Sequence, residues 1–204
     1  MAIYVLDYGM GNLRSVEKAF AFLGHECRVI GSPEEVGKAE GLVLPGVGAF
    51  GRAMEELERR GFVELVWKAV EEGVPLLGIC LGFQLLFEES EESPGVRGLG
   101  LLAGKVRRLG GRIKVPHMGW NDVRWVREHS VLQGVRSGSF FYFVHSYHPV
   151  PEEREVILGV TDYGEEFVSA VSRENIIGFQ FHPEKSSSAG LRILYNFART
   201  CTGR

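Results

Sequence analysis

Residues 75–84 read Pro75-Leu76-Leu77-Gly78-Ile79-Cys80-Leu81-Gly82-Phe83-Gln84, an apolar run ending in a cysteine with glycine two residues to either side. The run at 75–79 has strand length and no polar alternation, which suits a β-strand covered on both faces. A helix is expected to begin directly after Cys80. A side chain on so tight a strand-to-helix turn needs little bulk around it, and glycine at 78 and 82 meets that need. The helix start favours a thiolate, and the backbone N–H of Leu81 is expected to point where an oxyanion would form. Most free cysteines, however, are small buried apolar residues, and this motif alone does not separate the two readings.

Upstream, short apolar runs alternate with helical periodicity. Residues 2–6 read as a strand and residues 13–23 as a helix, with Leu13, Val16, Phe20 and Leu23 on one face, Asn12 as N-cap and Gly24 as stop. A strand at 27–30, a helix opened by Ser32, Pro33 and Glu35 in capping-box spacing, a strand at 41–44 and helical segments at 53–60 and 63–71 follow. Such alternation implies a parallel sheet covered by helices, with ligands beyond the carboxyl ends of the strands. Downstream the pattern changes. Residues 105–109, 140–144, 156–160, 167–172 and 176–181 read as strands, Arg173, Glu174 and Asn175 as a hairpin turn, and about 190–200 as a final helix. The expected fold is three-layer α/β, a mostly parallel central sheet flanked by helices with an additional antiparallel β portion in the second half. No linker or repeat divides the chain, so residues 1–204 are expected to form one domain.

A formal charge of -3 with 45% hydrophobic residues provides no basic field for nucleic acid and no excess charge favouring disorder. No apolar stretch approaches the roughly 20 residues of a membrane helix, and residues 1–7 lack the basic start and long apolar region of a signal. A cytoplasmic protein without nucleic-acid or membrane partners is expected. Cys27, Cys80 and Cys201 are widely spaced, with no C-x-x-C pair, which argues against a disulfide framework or zinc ribbon.

A nucleophilic cysteine needs a base and an orienting group, and Phe181-His182-Pro183-Glu184 offers both. Proline biases His182 toward extended backbone, where residues two apart share a side, so His182 and Glu184 can point together. Read singly, the same tetrapeptide would be a surface turn. Pro45-Gly46-Val47-Gly48 follows the strand at 41–44 and would place a second oxyanion donor near Val47 or Gly48, where an isolated glycine pair is more often a plain turn. The segment Gly9-Met10-Gly11-Asn12-Leu13-Arg14 imitates a dinucleotide fingerprint, but Arg14 stands where the third glycine is needed. His145 and His148 add donors near the proposed nucleophile and base without metal-site spacing, so no metal and no other cofactor is expected. His25, Cys27, His129 and Cys201 are read as structural.

Taken together, G-I-C-L-G-F-Q at 78–84 and F-H-P-E at 181–184 closely resemble the class I glutamine amidotransferases, which use a Cys-His-Glu triad. The segments at 7–13 (DYGMGNL), 45–50 (PGVGAF), 116–121 (PHMGWN), 142–147 (YFVHSY) and Lys185-Ser186 are similar to the glutaminase subunits of imidazole glycerol phosphate synthase. This resemblance spans nearly the whole chain. It implies that Cys80 attacks the side-chain amide of L-glutamine, with Leu81 and Val47 supplying the oxyanion hole and His182, held by Glu184, moving the protons. Gly48, Gln84, Ser146 and Tyr147 would hold glutamine, with Glu92 a further candidate. The ammonia would travel through a tunnel to a separate (β/α)8-barrel cyclase subunit of a heterodimer, in histidine biosynthesis, and the Val47 loop would be completed by the liganded partner. Asn12, Trp120 and Lys185 lie in the segments that distinguish this subgroup and are read as facing the barrel. Glutaminase subunits of other amidotransferases, and a non-catalytic binding module of the same fold, are the alternatives.

Overall fold

A computed structural model describes residues 2–111 and 113–202. Its first half alternates as expected: β1 (Ala2–Leu6), α1 (Leu13–Phe22), β2 (Cys27–Ile30), β3 (Ala39–Leu44), α2 (Phe50–Arg59), α3 (Phe62–Glu71), β4 (Leu76–Ile79) and α4 (Leu81–Gln84). The second half holds β5 (Glu89–Ser90), β6 (Gly104–Arg108), β7 (His117–Trp125), β8 (Ser139–His145), β9 (Tyr147–Pro151), β10 (Ile157–Asp162), β11 (Glu166–Arg173), β12 (Ile176–Phe179) and α5 (Ser187–Thr202). Among the described residues, nine strands form one sheet in the order β2-β1-β3-β4-β12-β11-β10-β7-β8, and β5-β6-β9 form a small second one. The five strands from β2 to β12 are parallel, and the pairs from β12 to β8 are antiparallel.

The continuous apolar character of the parallel strands has the cause inferred from sequence. In β1, Ala2, Tyr4 and Leu6 join the core beneath α2 and α3, with Phe50, Leu57, Phe62 and Val66, while Ile3 and Val5 face the opposite core with Phe20, Leu194 and Phe197 of α1 and α5. Both faces are buried, so both faces must be apolar. Each such large side chain contributes about 1.5–3 kcal/mol on removal from water.

Several local expectations are corrected. Asn12 stands at the N-cap of α1, but its side chain makes no capping hydrogen bond, whereas Gly24 does end the helix in left-handed backbone at φ +79°. The Ser32 segment is a single 3-10 turn, Pro33–Glu35, although the Glu35 carboxylate does accept the Gly31 and Ser32 N–H groups. The helix α4 is only four residues long, so the N–H groups of its first turn matter more than a helix dipole. Strands β5, β7 and β9 were not expected, β5 being only two residues long. In β7 the exposed Met118 and Trp120 obscure the alternation, and β9 carries Pro149 and Pro151, tolerated because it is an edge strand of the small sheet. β12 ends at Phe179 rather than residue 181, and α5 starts earlier than expected.

The sheet order matters for the site. β12 lies beside β4 with Gly78 opposite Gly178 and Ile79 opposite Phe179, so the chain leaves both strands at the same level, next to the end of β3.

Candidate active site

Cys80 adopts φ +54° and ψ -109°, a backbone conformation that non-glycine residues rarely take. Holding it costs on the order of 1–3 kcal/mol, which the surroundings must supply. Its N–H donates to Phe179 O at 2.8 Å, and the flanking glycines allow the packing that fixes it. A Cβ on Gly82 would strike the Leu44 carbonyl, and one on Gly78 would sit 2.9 Å from Phe83 Cα. The part of the elbow reasoning that concerns the tight turn and its two glycines therefore holds. The buried Sγ lies 3.7 Å from Val144 O and 3.9 Å from Gln180 Nε2.

Beyond β12 the backbone stays extended and crosses toward β8, where His182 N–H donates to Tyr142 O at 2.9 Å. Ser186 staples the crossing: its hydroxyl donates to His182 O at 2.6 Å and accepts the Tyr142 N–H at 2.9 Å. His182 is extended at φ -98° and ψ 96°, as the following proline requires, and Pro183 opens a 3-10 turn carrying Glu184. Both side chains are buried, with His182 Nδ1 donating to Glu184 Oε1 at 2.9 Å. This leaves His182 Nε2 buried without a hydrogen-bond partner among the described residues. Burial alone lowers the imidazole pKa. Contact with the Cys80 sulfur, and then with Glu184, outweighs it and raises His182 to about 10.

A cavity of about 260 Å³ opens beside the sulfur. Val47, Gly48, Leu81, Gln84, Glu92, Ser146 and Tyr147, all singled out from sequence, line it together with Cys80. Residues 4–201 match the family glutamine amidotransferase class-I.

The chain belongs to that family.

Among curated relatives of this amidotransferase, the imidazole glycerol phosphate synthase subunit HisH of Moorella thermoacetica is 54% identical over 195 residues, covering 96% of this chain and 93% of the relative. The subunit of the same name from Aquifex aeolicus is 51% identical, over 98% and 97% respectively. The amidotransferase therefore belongs with the HisH subunits. Solved structures share its fold at lower identity. PurLQS of Thermotoga maritima aligns with TM-score 0.77 at 19% identity over 96% of each chain. A glutamine amidotransferase of the same organism aligns with TM-score 0.66 at 16% identity, over 90% of this chain and 76% of that one.

Of the two backbone positions expected to form an oxyanion hole, Leu81 is engaged within the protein. Leu81 N–H donates to Gly46 O at 3.3 Å, so the donor expected to face an oxyanion is engaged by the loop that carries Val47. Gly46 permits that approach, since a Cβ there would lie 2.9 Å from Leu81 Cβ and would strike the Tyr8 hydroxyl. Gly48 is in left-handed backbone at φ +104°, against Met10. Glu92 touches the cavity, but its carboxylate accepts the Phe50 N–H at 2.7 Å, which caps α2.

Gln180 went unnoticed in the sequence. It is fully buried, accepts from Gln84 Nε2 at 3.1 Å and donates toward Cys80, so Gln84 reaches the sulfur through it. Its only signal was its place within F-Q-F-H-P-E. Of the residues read as facing a partner, Trp120 and Lys185 are exposed and linked through Tyr142, whose ring meets Trp120 at 6.2 Å and whose backbone pairs with His182 and Ser186. Asn12 is exposed at the start of α1, which packs against the 3-10 turn of Lys185. Among the described residues, no group of three or more His, Cys, Asp or Glu is arranged to hold a metal, and no helix is long and apolar enough to cross a membrane.

Proposed function

We propose that this chain, acting as one domain, is the glutamine-hydrolysing subunit of an imidazole glycerol phosphate synthase. The observation that carries the reading is a strained cysteine beside a buried His-Glu pair, opening on a cavity of amino-acid size. His182 takes the thiol proton, and Cys80 Sγ attacks the side-chain carbonyl carbon of L-glutamine. His182 Nε2 returns the proton to the departing nitrogen, giving ammonia and a glutamyl thioester. It then deprotonates a water whose attack frees glutamate and restores the thiol. Glu184 keeps Nδ1 protonated throughout. Gly48, Gln84, Ser146 and Tyr147 hold the substrate, and the oxyanion forms once Leu81 N–H is released from Gly46 O and a backbone amide at Val47 joins it.

The acceptor of the ammonia is a separate barrel-type cyclase subunit. Met118, Trp120 and Phe140, between 51% and 63% exposed on the outer face of the β7–β8 hairpin, form an apolar strip suited to it, and the exposed Lys185 and Asn12 are further candidates for the contact. The free cysteines fit a reducing, cytoplasmic setting. The test is glutamate release from glutamine, with and without the liganded cyclase subunit, for the native chain and Cys80→Ala. Activity that requires the partner and vanishes in Cys80→Ala supports the reading. Equal activity without any partner indicates a free-standing hydrolase and overturns it.

A further inference from the structure

From the cavity wall, to which His145 itself contributes, a polar chain runs through two buried histidines to the half-buried Asn121, and the reaction above gives these three residues no role. The Tyr147 carbonyl accepts two side-chain hydrogen bonds, from Gln84 Nε2 at 2.8 Å and from His145 Nδ1 at 2.9 Å. His145 Nε2 meets His117 Nδ1 at 3.0 Å, and His117 Nε2 meets Asn121 Nδ2 at 3.4 Å. Asn121 Nδ2 also donates to Asp162 O at 2.8 Å. The His117 ring stacks on Tyr163 at 4.0 Å and on Phe143 at 4.8 Å, which fixes its plane.

The carbonyl at the end of the chain determines every proton along it. A carbonyl only accepts, so His145 Nδ1 carries the hydrogen and, in a neutral ring, His145 Nε2 must accept. His117 Nδ1 is then the donor and His117 Nε2 the acceptor, which only the amide nitrogen of Asn121 can satisfy. Burial favours the neutral rings this requires, holding His145 down to about 3 and His117 down to about 4. Neutrality also spares the His182 imidazolium a like charge, since His145 lies close enough to interact with it electrostatically.

We propose that His145 and His117, with Asn121 behind them, are positioning residues for glutamine: a tautomer-locked chain that fixes the Tyr147 carbonyl and, through it, the Ser146–Tyr147 wall of the cavity. The inference rests on the glutaminase reading. Val144, the residue before His145, offers its carbonyl to the Cys80 sulfur, so the same short segment borders both nucleophile and substrate. A wall held at one point by two donors keeps the substrate-facing backbone in place. Losing one donor loosens the site for ground state and transition state alike, a change in KM rather than in kcat.

Two measurements on the full complex test this. In nitrogen-15 NMR of the histidine rings, both His117 and His145 should be Nδ1–H tautomers, the minor form of a free neutral imidazole; an Nε2–H ring at either position overturns the chain. In steady-state kinetics, His145→Leu should raise KM for glutamine about tenfold, the equivalent of one hydrogen bond, while kcat falls less than threefold. His145→Asn, whose amide can still donate to Tyr147 O, should recover most of the loss. If Leu and Asn behave alike, or kcat falls with KM unmoved, the residues are structural only. The native complex is the control: failure of the unaltered protein to hydrolyse glutamine would count against the glutaminase reading, whereas normal hydrolysis with an unmoved KM counts against this one.

Discussion

The Tyr8 hydroxyl donates to the Pro45 carbonyl at 2.6 Å, tying the turn after β1 to the loop that engages Leu81 N–H. Tyr8 is fully buried, and burial raises its phenol pKa further, so the hydroxyl remains a donor at any ordinary pH. Tyr8→Phe would leave the Pro45 carbonyl without this partner at a cost of about 1–3 kcal/mol. Thermal unfolding should show a midpoint lower by several degrees, and partner-stimulated glutamate release should fall as the loop loses its anchor. An unchanged midpoint and rate would remove the hydroxyl from the account.

Gly82→Ala tests the elbow. The added methyl collides with backbone at Leu44, which cannot swing aside as a side-chain end could. Destabilisation of about 1–3 kcal/mol or more is expected, with a strongly slowed reaction of Cys80 with a glutamine-like alkylating reagent. Native stability and native labelling together would show that the close approach is not needed.

The His182–Glu184 pair makes a prediction about pH. Because the folded His182 pKa is raised to about 10, its protonation stabilises the fold fully below about pH 6.5, and that stabilisation is lost as pH rises through 10. Glu184→Gln removes one of the two raising partners. The stability difference between native chain and variant should be largest near neutral pH and shrink toward pH 10, while kcat falls roughly 10²-fold or more from the loss of an oriented base. A pH-independent difference would contradict the assignment.

The buried neutral histidines act in the opposite sense. In the unfolded chain His117 and His145 bind a proton near pH 6.5, but folded they do so only near 4 and 3. The unfolded state therefore holds more protons below pH 6.5, and stability is lost as pH drops, by up to about 1.4 kcal/mol per unit for each ring. Urea unfolding at pH 7.5 and 5 should show this loss, and His117→Gln should reduce its slope even though the variant is less stable at both. Equal slopes would mean that His117 does not titrate as its burial implies.

Trp120 is half-exposed on an apolar strip, so Trp120→Ala should leave the subunit's own melting temperature nearly unchanged. Binding of the cyclase subunit, measured by titration calorimetry, should weaken tenfold or more if the ring is a central anchor. Undiminished affinity would move the interface elsewhere.

Much of the site was legible because its decisive parts are local. Cys80 between Gly78 and Gly82 and His182 before Pro183 carry their geometric reason within a few residues, whereas Glu184 does meet the imidazole but from a 3-10 turn rather than along the extended chain expected. Gln180 and the His117–His145 chain were not legible, since their meaning lies in partners from other strands. The three missed strands have local causes as well: β5 is only two residues long, in β7 an outward face carrying Met118 and Trp120 reads as noise, and in β9 prolines argue against a strand unless its edge position is known.

From the order of residues alone follow the doubly covered strands, the need for glycine around the nucleophile and the chemistry available to each side chain, because these depend on backbone sterics and on which atoms neighbours in the chain possess. The fold decided the rest. It set β12 against β4 in the register that brings His182 to Cys80, left Leu81 N–H engaged by Gly46 O, and joined Asn121 to the Tyr147 carbonyl through two histidine rings. Hydrogen bonds between residues distant in sequence depend on strand order and register to within a few tenths of an ångström, and only the packed tertiary structure supplies that precision.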